Sequence, residues 1–189
     1  MNVPSDEQLM TEVLRGSTDA LTMLVERYHA PLLAYLYRLL GGRQNLAEDL
    51  VQESFLRLLQ PNGYQQERPF KPWLYAIVTN LARDYFKSAS AKQQIPGEGE
   101  DWHTLLDNAP GPEEFVLATE ENQIIAAAIG QLGDEYRSAL LLRFYQGMSL
   151  QEIAETLHIP LGTVKSRLSV GTHRLRDLLS TLQEEEVKK

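Results

Sequence analysis

The side chains best suited to chemistry in this sequence are the cations of one short stretch, residues 162–176. The stretch contains no aspartate or glutamate, although the chain carries a formal net charge of −8. Its cations are Lys165, Arg167, Arg174 and Arg176. At helical spacing they lie opposite Val164 and Leu168. A helix about 10–12 Å wide fits the DNA major groove, where lysine, arginine and serine reach phosphates and base edges. The stretch therefore predicts a DNA-contacting helix.

The residues just before this stretch predict a second, shorter helix joined to it by a tight turn. Ser149 and Glu152 have the S-x-x-E spacing of a capping box, and the segment 158–160 ends in a proline, which interrupts helical hydrogen bonding. Two short helices joined in this way are typical of a helix-turn-helix. On pattern alone, an ordinary helical hairpin with a solvated basic face remains the alternative.

Other kinds of chemistry find little support in the sequence. There are no cysteines, which excludes disulfides, thiolate metal sites and thiol redox sensing. The histidines, His29, His103, His158 and His173, form no i,i+4 ligand pair. We see no nucleophile with a base, no phosphate-cradling glycine loop and no metal cluster. We therefore expect no enzyme activity, no metal, no cofactor and no small-molecule substrate. No apolar run of about 20 residues and no signal peptide are found.

Hydrophobic spacing predicts helices through most of the chain and hence an all-α fold. Ser5 and Asp19 are expected to cap the first two helices. Pro31 is expected to interrupt the second, and the segment 41–42, Gly-Gly, to end the pattern. A further helix is expected over about 45–59.

The segment 91–118 differs from its surroundings in composition. It holds one lysine, and its acidic residues are Glu98, Glu100, Asp101, Asp107, Glu113 and Glu114. With little periodicity and several prolines and glycines, it is typical of a flexible linker. We therefore expect two small helical domains, 1–90 and 119–189, joined by an acidic linker at 91–118, with the helix-turn-helix in the second.

Three strings in the chain resemble one family. SLQEIAETLHIPLGTVKSRL (149–168) is similar to the promoter-reading C-terminal domain of the extracytoplasmic-function (ECF) group of bacterial sigma-70 factors. AEDLVQESFLRLL (47–59) resembles the sigma segment that docks on the polymerase largest subunit, and FKPWLYAIVTNLARDYFKS (70–88) resembles the −10 reading helix. The order and spacing of the strings match that family, in which 1–90 would be sigma region 2 and 119–189 sigma region 4.

The resemblance implies roles for particular residues. Contacts with the −35 duplex would come from Thr163, Lys165, Ser166, Arg167, Ser169 and Arg174. Contacts with the −10 element would come from the loop residues Asn62, Gly63, Tyr64 and Gln65 and from Asn80, Arg83 and Lys87 on the following helix. Contacts with core polymerase would come from Asp49, Gln52, Glu53 and Phe55. Trp73 is expected to be structural.

Two departures from the family pattern bear on DNA affinity. Many relatives have a basic residue at the position of Ala76 and a dense basic run after the Asp-Tyr pair, where this chain offers only Lys87 and Lys92. Since each lost phosphate contact weakens binding, we expect modest intrinsic affinity for DNA. The segment 169–171, Ser-Val-Gly, also lacks the arginine or other large residue that relatives often have near positions 169 and 170. We therefore expect weaker or altered −35 reading.

The resemblance predicts a sigma factor that works in the cytoplasm. Its partners would be core RNA polymerase, promoter DNA and an anti-sigma factor, which in this group is typically membrane-bound. The acidic linker would thread near the polymerase RNA exit path, or serve as a plain tether. Two alternatives remain: a transcription regulator that binds duplex DNA without polymerase, and a sigma-like protein that sequesters an anti-sigma factor without initiating transcription.

Overall fold

The computed structural model describes residues 3–60, 63–64, 68–91 and 120–187, and within these ranges every regular element is helical. The helices of the N-terminal half are α1 (Asp6–Leu14), α2 (Thr18–Leu39), α3 (Gln44–Leu58) and α4 (Phe70–Ala91). Those of the C-terminal half are α5 (Glu120–Gln131), α6 (Asp134–Leu140), a π-helical turn (Leu141–Tyr145), α7 (Leu150–Leu157) and α8 (Leu161–Val187). The predicted all-α class is confirmed. Apart from its first residue, the predicted linker 91–118 lies outside the described residues.

Serines cap the first two helices. The Ser5 hydroxyl accepts from the Gln8 N–H at 3.2 Å, and the Gln8 carboxamide accepts from the Ser5 N–H at 2.9 Å, which completes a capping box. The α2 cap is Ser17, whose hydroxyl accepts from the Ala20 N–H at 3.2 Å. The predicted cap at Asp19 was wrong. Asp19 lies in the first turn, where its charge complements the helix dipole.

Helix α2 runs through Pro31, which the sequence predicted would interrupt it. The proline removes one backbone N–H and costs about 3 kcal/mol in a helix interior. Leu24 and Tyr28 before it, and Leu32 and Leu36 after it, are buried on one face. Continuous apolar burial on both sides of the proline outweighs its local cost.

The N-terminal core is built where α2 and α4 face each other. The rings of Tyr35 and Tyr75 meet edge to face with centroids 5.3 Å apart, and both side chains are buried. The Tyr35 hydroxyl lies 2.8 Å from that of Thr79, and burial raises the pKa of Tyr35 to about 12. These contacts fix α4 against α2.

The helix-turn-helix predicted from the sequence is present. Ser149 and Glu152 form the expected capping box, with a 3.2 Å bond to the Ser149 hydroxyl and a 2.7 Å bond to the Glu152 carboxylate. Helix α7 ends at His158, which has left-handed backbone angles. Helix α8 starts at Leu161, one residue before the predicted start, and runs unbroken through Gly171.

A buried arginine joins three chain segments. The Arg137 guanidinium donates to the carbonyls of Ile129 (3.1 Å) and Leu132 (2.7 Å) at the end of α5, and to that of Leu39 (2.9 Å) at the end of α2. Burial lowers the pKa of Arg137, while Asp134 at 3.5 Å acts in the opposite direction. These hydrogen bonds satisfy carbonyls that the ends of α5 and α2 would otherwise leave free. Helix α2 belongs to the N-terminal half of the chain, so Arg137 links the two halves.

Candidate nucleic-acid interface

The residues predicted to contact duplex DNA lie together on the N-terminal half of α8, and we call them the recognition face: Thr163, Lys165, Ser166, Arg167, Ser169 and Arg174. Lys165, Ser166, Ser169 and Arg174 are exposed, while Thr163 and Arg167 are half-buried. Val164, on the same part of the helix, is fully buried and anchors the helix to the core. The helix therefore presents a basic, hydroxyl-bearing surface to solvent.

Helix α6 holds two arginines of the recognition face in place. Arg167 lies 3.8 Å from the Glu135 carboxylate, and the Arg174 guanidinium stacks over the Tyr136 ring, 4.6 Å from its centroid. Each arginine is therefore partly ordered before it binds, so it loses less side-chain entropy when it contacts a phosphate. No local pattern in the sequence predicts this arrangement, because each arginine lies more than 30 positions after the α6 residue that it contacts.

Gly171 permits the close crossing of α6 and α8. A Cβ atom at this position would lie 3.2 Å from both Tyr136 Cβ and Leu140 Cδ1. A side chain at this position would therefore press on Tyr136 and Leu140. Val170, beside it, is 39% exposed, and Ser169 is also exposed.

The residues predicted on α4 form a second surface, which we call the strand face: Asn80, Arg83 and Lys87. Asn80 and Lys87 are exposed and Arg83 is half-buried. Spacings of three and four residues place all three on one side of the helix, while Leu74, Val78 and Ala82 are buried on the other side. An amide and two cations in a row fit a single nucleic-acid strand.

The loop before α4 is described only in part, and Asn62 and Gln65 lie outside the described residues. Tyr64 is not a surface residue: it is 5% exposed, and its hydroxyl donates to the Arg68 carbonyl at 2.6 Å. Its ring packs on Trp73 with centroids 4.9 Å apart, which agrees with the structural role expected for Trp73. A Cβ at Gly63 would lie 3.1 Å from the Arg57 carbonyl oxygen, so a larger residue there would strain the loop.

Three of the four residues predicted to contact polymerase lie on the outer side of α3, and we call these three, Asp49, Gln52 and Glu53, the acidic face. Asp49 and Gln52 are exposed, and Glu53 pairs with Arg57 at 3.1 Å. Phe55, the apolar residue among the polymerase contacts that the resemblance implied, packs against the hydrophobic core. Leu56 is instead 60% exposed and shares the side of α3 that carries Asp49 and Glu53. A helical wheel places Leu56 in this polar face, and that signal could have identified it.

Two residues of the strand face and two of the recognition face line one cleft. The cleft has a volume of about 910 Å³, and its cations are Arg83 and Lys87 on one wall and Arg167 and Arg174 on the other. Asp134 and Glu135 also line it. The cleft is thus a predominantly basic surface built by both halves of the chain.

Within the described ranges, no cluster of three or more histidine or acidic side chains could hold a metal ion. A search of the same ranges for membrane spans found no helix with the length and hydropathy that crossing a bilayer requires.

Comparisons with known proteins agree on one family. The model of sigma-70 region 2 matches residues 24–92, and that of sigma-70 region 4 matches residues 122–171. The chain is 34% identical to the ECF RNA polymerase sigma factor SigW of Bacillus subtilis, over 90% of this chain and 95% of the relative. It is also 34% identical to the ECF RNA polymerase sigma factor SigE of Mycolicibacterium smegmatis, over 94% and 70%.

Two solved structures share the fold. CnrH in complex with the cytosolic domain of CnrY has a TM-score of 0.68 at 23% identity, covering 93% of this chain and 97% of the other. RpoE in complex with the anti-sigma factor NepR from Bartonella quintana has a TM-score of 0.62 at 23% identity, covering 83% and 96%.

Proposed function

This chain belongs to the ECF sigma factors of the sigma-70 family, and we propose that three of its helices have separate roles in promoter-specific initiation. The recognition face on α8 binds the −35 duplex, the strand face on α4 reads the −10 element, and the acidic face on α3 binds core polymerase. As a sigma factor, it associates with core RNA polymerase and directs it to promoters. Polymerase carries out the chemistry. In this proposal residues 1–90 form the polymerase-binding and −10 reading domain, 91–118 the linker, and 119–189 the −35 reading domain.

The recognition face is the observation that carries this proposal. An acid-free, basic helix surface, backed by a capped helix and a buried Val164, has the form needed to enter a major groove. Lys165, Ser166 and Ser169 would reach base edges and phosphates, with Thr163 at the helix start. Arg167 and Arg174 are pre-oriented by α6 and would bind the flanking phosphates.

The strand face supports a role in opening and reading the −10 element. A base extruded from the duplex needs a polar partner, and the exposed Asn80 amide offers both a donor and an acceptor. Arg83 and Lys87 lie one and two turns further along and would bind the strand backbone. Gly63, with Asn62 and Gln65, would frame the base. Buried Tyr64 would support that loop from below.

The acidic face supports binding to a basic helical surface of core polymerase. Asp49, Gln52 and Glu53 would form a polar rim around an apolar anchor. Because Phe55 packs inward, we assign the role of apolar anchor to the exposed Leu56. Phe55 would instead hold α3 against the core.

The remaining partners follow from the same scheme. We propose that an anti-sigma factor binds this chain, since the solved neighbours CnrH and RpoE are each described with a partner protein, in RpoE an anti-sigma factor. Sigma factors are not enzymes, and we propose no catalytic activity, cofactor or small-molecule substrate for this one. Its place of action would be the cytoplasm, where polymerase meets the chromosome. Co-purification from the native host tests the partner: recovery of the chain with no bound inhibitor before induction contradicts it.

A salt-dependent binding titration tests the recognition face. We expect Lys165→Ala to weaken binding of the polymerase holoenzyme to a promoter fragment and to reduce the salt slope by about one. Arg176→Ala is the matched control, since Arg176 is exposed on the same helix outside the recognition face. Equal effects of the two substitutions would contradict the assignment of the recognition face.

A further inference from the structure

Helix α1 supplies a carboxylate to the start of α4. The Glu7 side chain accepts from the Phe70 N–H at 3.1 Å, across 63 positions of sequence. Phe70 is the first residue of α4, so its N–H is one of the four that a helix leaves without an intrahelical partner. The negative charge also complements the positive end of the α4 dipole. Glu7 therefore caps a helix to which it does not belong.

The neighbouring Asp6 fixes α1 on α2. Its carboxylate accepts from the Arg27 guanidinium and from the Tyr28 hydroxyl. The same guanidinium donates to the Pro4 carbonyl at 3.3 Å, and Met10 on α1 is fully buried. Since both ends of this contact are anchored, a fixed helix rather than a loose chain terminus brings the capping carboxylate to α4.

The capped residue is the centre of a group of rings, which we call the aromatic cluster: Tyr28, Tyr64, Phe70 and Trp73. The Phe70 centroid lies 5.5 Å from that of Tyr28, 5.7 Å from that of Tyr64 and 5.8 Å from that of Trp73. Phe70 is fully buried. Ring pairs at such distances depend on their relative orientation, so a displacement of Phe70 would disturb all three partners.

The aromatic cluster supports the loop that we assigned to the −10 base. Tyr64 belongs to both, and its hydroxyl bonds the Arg68 carbonyl within the loop at 2.6 Å. The exposed Gly63 directly precedes it. Asn80 lies ten residues after Phe70, about 15 Å along α4 at the helical rise. A base held between this loop and Asn80 requires a fixed junction where the loop enters α4, and that junction is the residue capped by α1.

Glu7 is ionised at neutral pH, which suits a cap and not a DNA contact. Partial burial raises its pKa, but its hydrogen bonds, foremost that from the Phe70 N–H, lower the pKa overall. A carboxylate repels the phosphates of a nucleic-acid strand because the charges are alike. Any influence of Glu7 on promoter reading must therefore pass through the groups that it holds.

We propose that Glu7 is a positioning residue for −10 reading: by capping α4 it fixes the aromatic cluster, and with it the loop that frames the extruded base. The proposal rests on the −10 role assigned above to the loop and to α4. It gives α1 a part in promoter reading, although no contact residue predicted from the sequence lies on that helix.

Fluorescence of Trp73 tests the positioning directly, whether or not the DNA assignment holds. The chain has two tryptophans, so Trp102→Phe leaves the half-buried Trp73 as the single reporter. In that background we expect Glu7→Ala to shift the emission to the red and to increase quenching by acrylamide, because the ring loses part of its packing. Glu12→Ala is the matched control, since Glu12 is an exposed glutamate of α1 that pairs with Arg15 on the same helix.

Binding of the polymerase holoenzyme to two probes tests the effect on promoter reading. The probes are a single-stranded oligonucleotide with the −10 element of a promoter mapped by its start site, and a duplex with the −35 element of the same promoter. We expect Glu7→Ala to weaken binding of the single strand roughly three- to tenfold, the effect of about one lost hydrogen bond, and to leave binding of the duplex unchanged. Glu7→Gln keeps an acceptor oxygen without the charge, so it should give a smaller loss.

The outcomes separate this proposal from the proposed function. Increased Trp73 quenching with a selective loss of −10 strand affinity, both smaller in Glu7→Gln, supports the positioning role. Unchanged quenching, or equal effects of Glu12→Ala, overturns it. Equal losses for both probes also overturn it, because they indicate a general loss of stability. Strand affinity that falls with Asn80→Ala but not with Glu7→Ala overturns the positioning role alone. If neither substitution lowers strand affinity, the −10 assignment of α4 fails, and the positioning role fails with it.

Discussion

At the scale of single residues, the structure places several side chains differently from what their predicted roles required. Tyr64 and Phe55 are both turned toward the interior, whereas Leu56 is exposed among charged neighbours. Residue types at family positions could be recognised from the sequence. The spacing of Leu56 from Asp49 and Glu53 already places it on the polar side of α3, but the family resemblance directed the prediction to Phe55.

Leu56→Ala is expected to weaken binding to core polymerase roughly five- to thirtyfold, because a central apolar anchor contributes more than its polar rim. Affinity measured by fluorescence with purified core polymerase checks this. Leu14→Ala is the control, since Leu14 is also an exposed leucine near the end of a helix, at 45% exposure. An equal, small effect of both substitutions would return the anchor to Phe55.

Val170→Arg is expected to raise affinity for the −35 duplex several-fold, because Val170 is partly exposed beside the recognition face and an arginine there gains a phosphate or base contact. The titration must be made at one fixed salt concentration. Val170→Met controls for side-chain size. If the arginine variant binds the −35 duplex no better than the parent, the bland segment 169–171 does not limit −35 reading.

At the scale of helices, local signals predicted starts and ends better than they predicted packing. The capping box at Ser149 and the glycines at 41–42 acted as expected because caps depend on residues a few positions apart. Helix α2 ran through Pro31 because its buried face continues on both sides. Gly171 looked like a weakness in α8, yet its role lies in contact with Tyr136 and Leu140, which no local pattern reveals.

Gly171→Ala is expected to bring no gain in stability, although alanine in a helix interior is normally favoured over glycine by about 1 kcal/mol. The added Cβ would lie 3.2 Å from Tyr136 and Leu140 side-chain atoms. Gly162→Ala is the control on the same helix, since its Cβ would meet nothing within 4 Å. Thermal unfolding should rank Gly162→Ala above Gly171→Ala, and the reverse order would contradict close packing at Gly171.

The capping box of α7 predicts a pH dependence of stability. The Ser149 N–H lowers the pKa of Glu152, with a smaller opposing effect of burial. A carboxyl whose folded pKa is lowered stabilises the fold above its unfolded pKa, about 4.3, and loses that contribution as pH falls through the folded pKa. Melting temperatures of Glu152→Gln and the parent should therefore differ near neutral pH and converge in acid. Glu155→Gln, exposed on the same helix, is the control. A difference independent of pH would contradict an ionic cap.

At the scale of the whole molecule, composition and motif order predicted an all-α chain with a C-terminal helix-turn-helix, and both are confirmed. Packing of the two halves against each other was not predicted, because the hydrogen bonds of Gln146 join residues more than 70 positions apart. Arg137 is likewise only 8% exposed and caps helices in both halves through contacts that no local pattern predicts.

The most direct test of the central account is transcription in vitro with purified core polymerase, genomic DNA fragments and this protein, with the 5′ ends of the transcripts mapped. The account predicts discrete start sites that require the protein and are lost with Asn80→Ala, while Ser88→Ala on the same helix leaves them intact. Both variants should still bind core polymerase. Binding to core polymerase without any protein-dependent start site would contradict promoter-specific initiation and favour a sigma-like protein that only sequesters its partner.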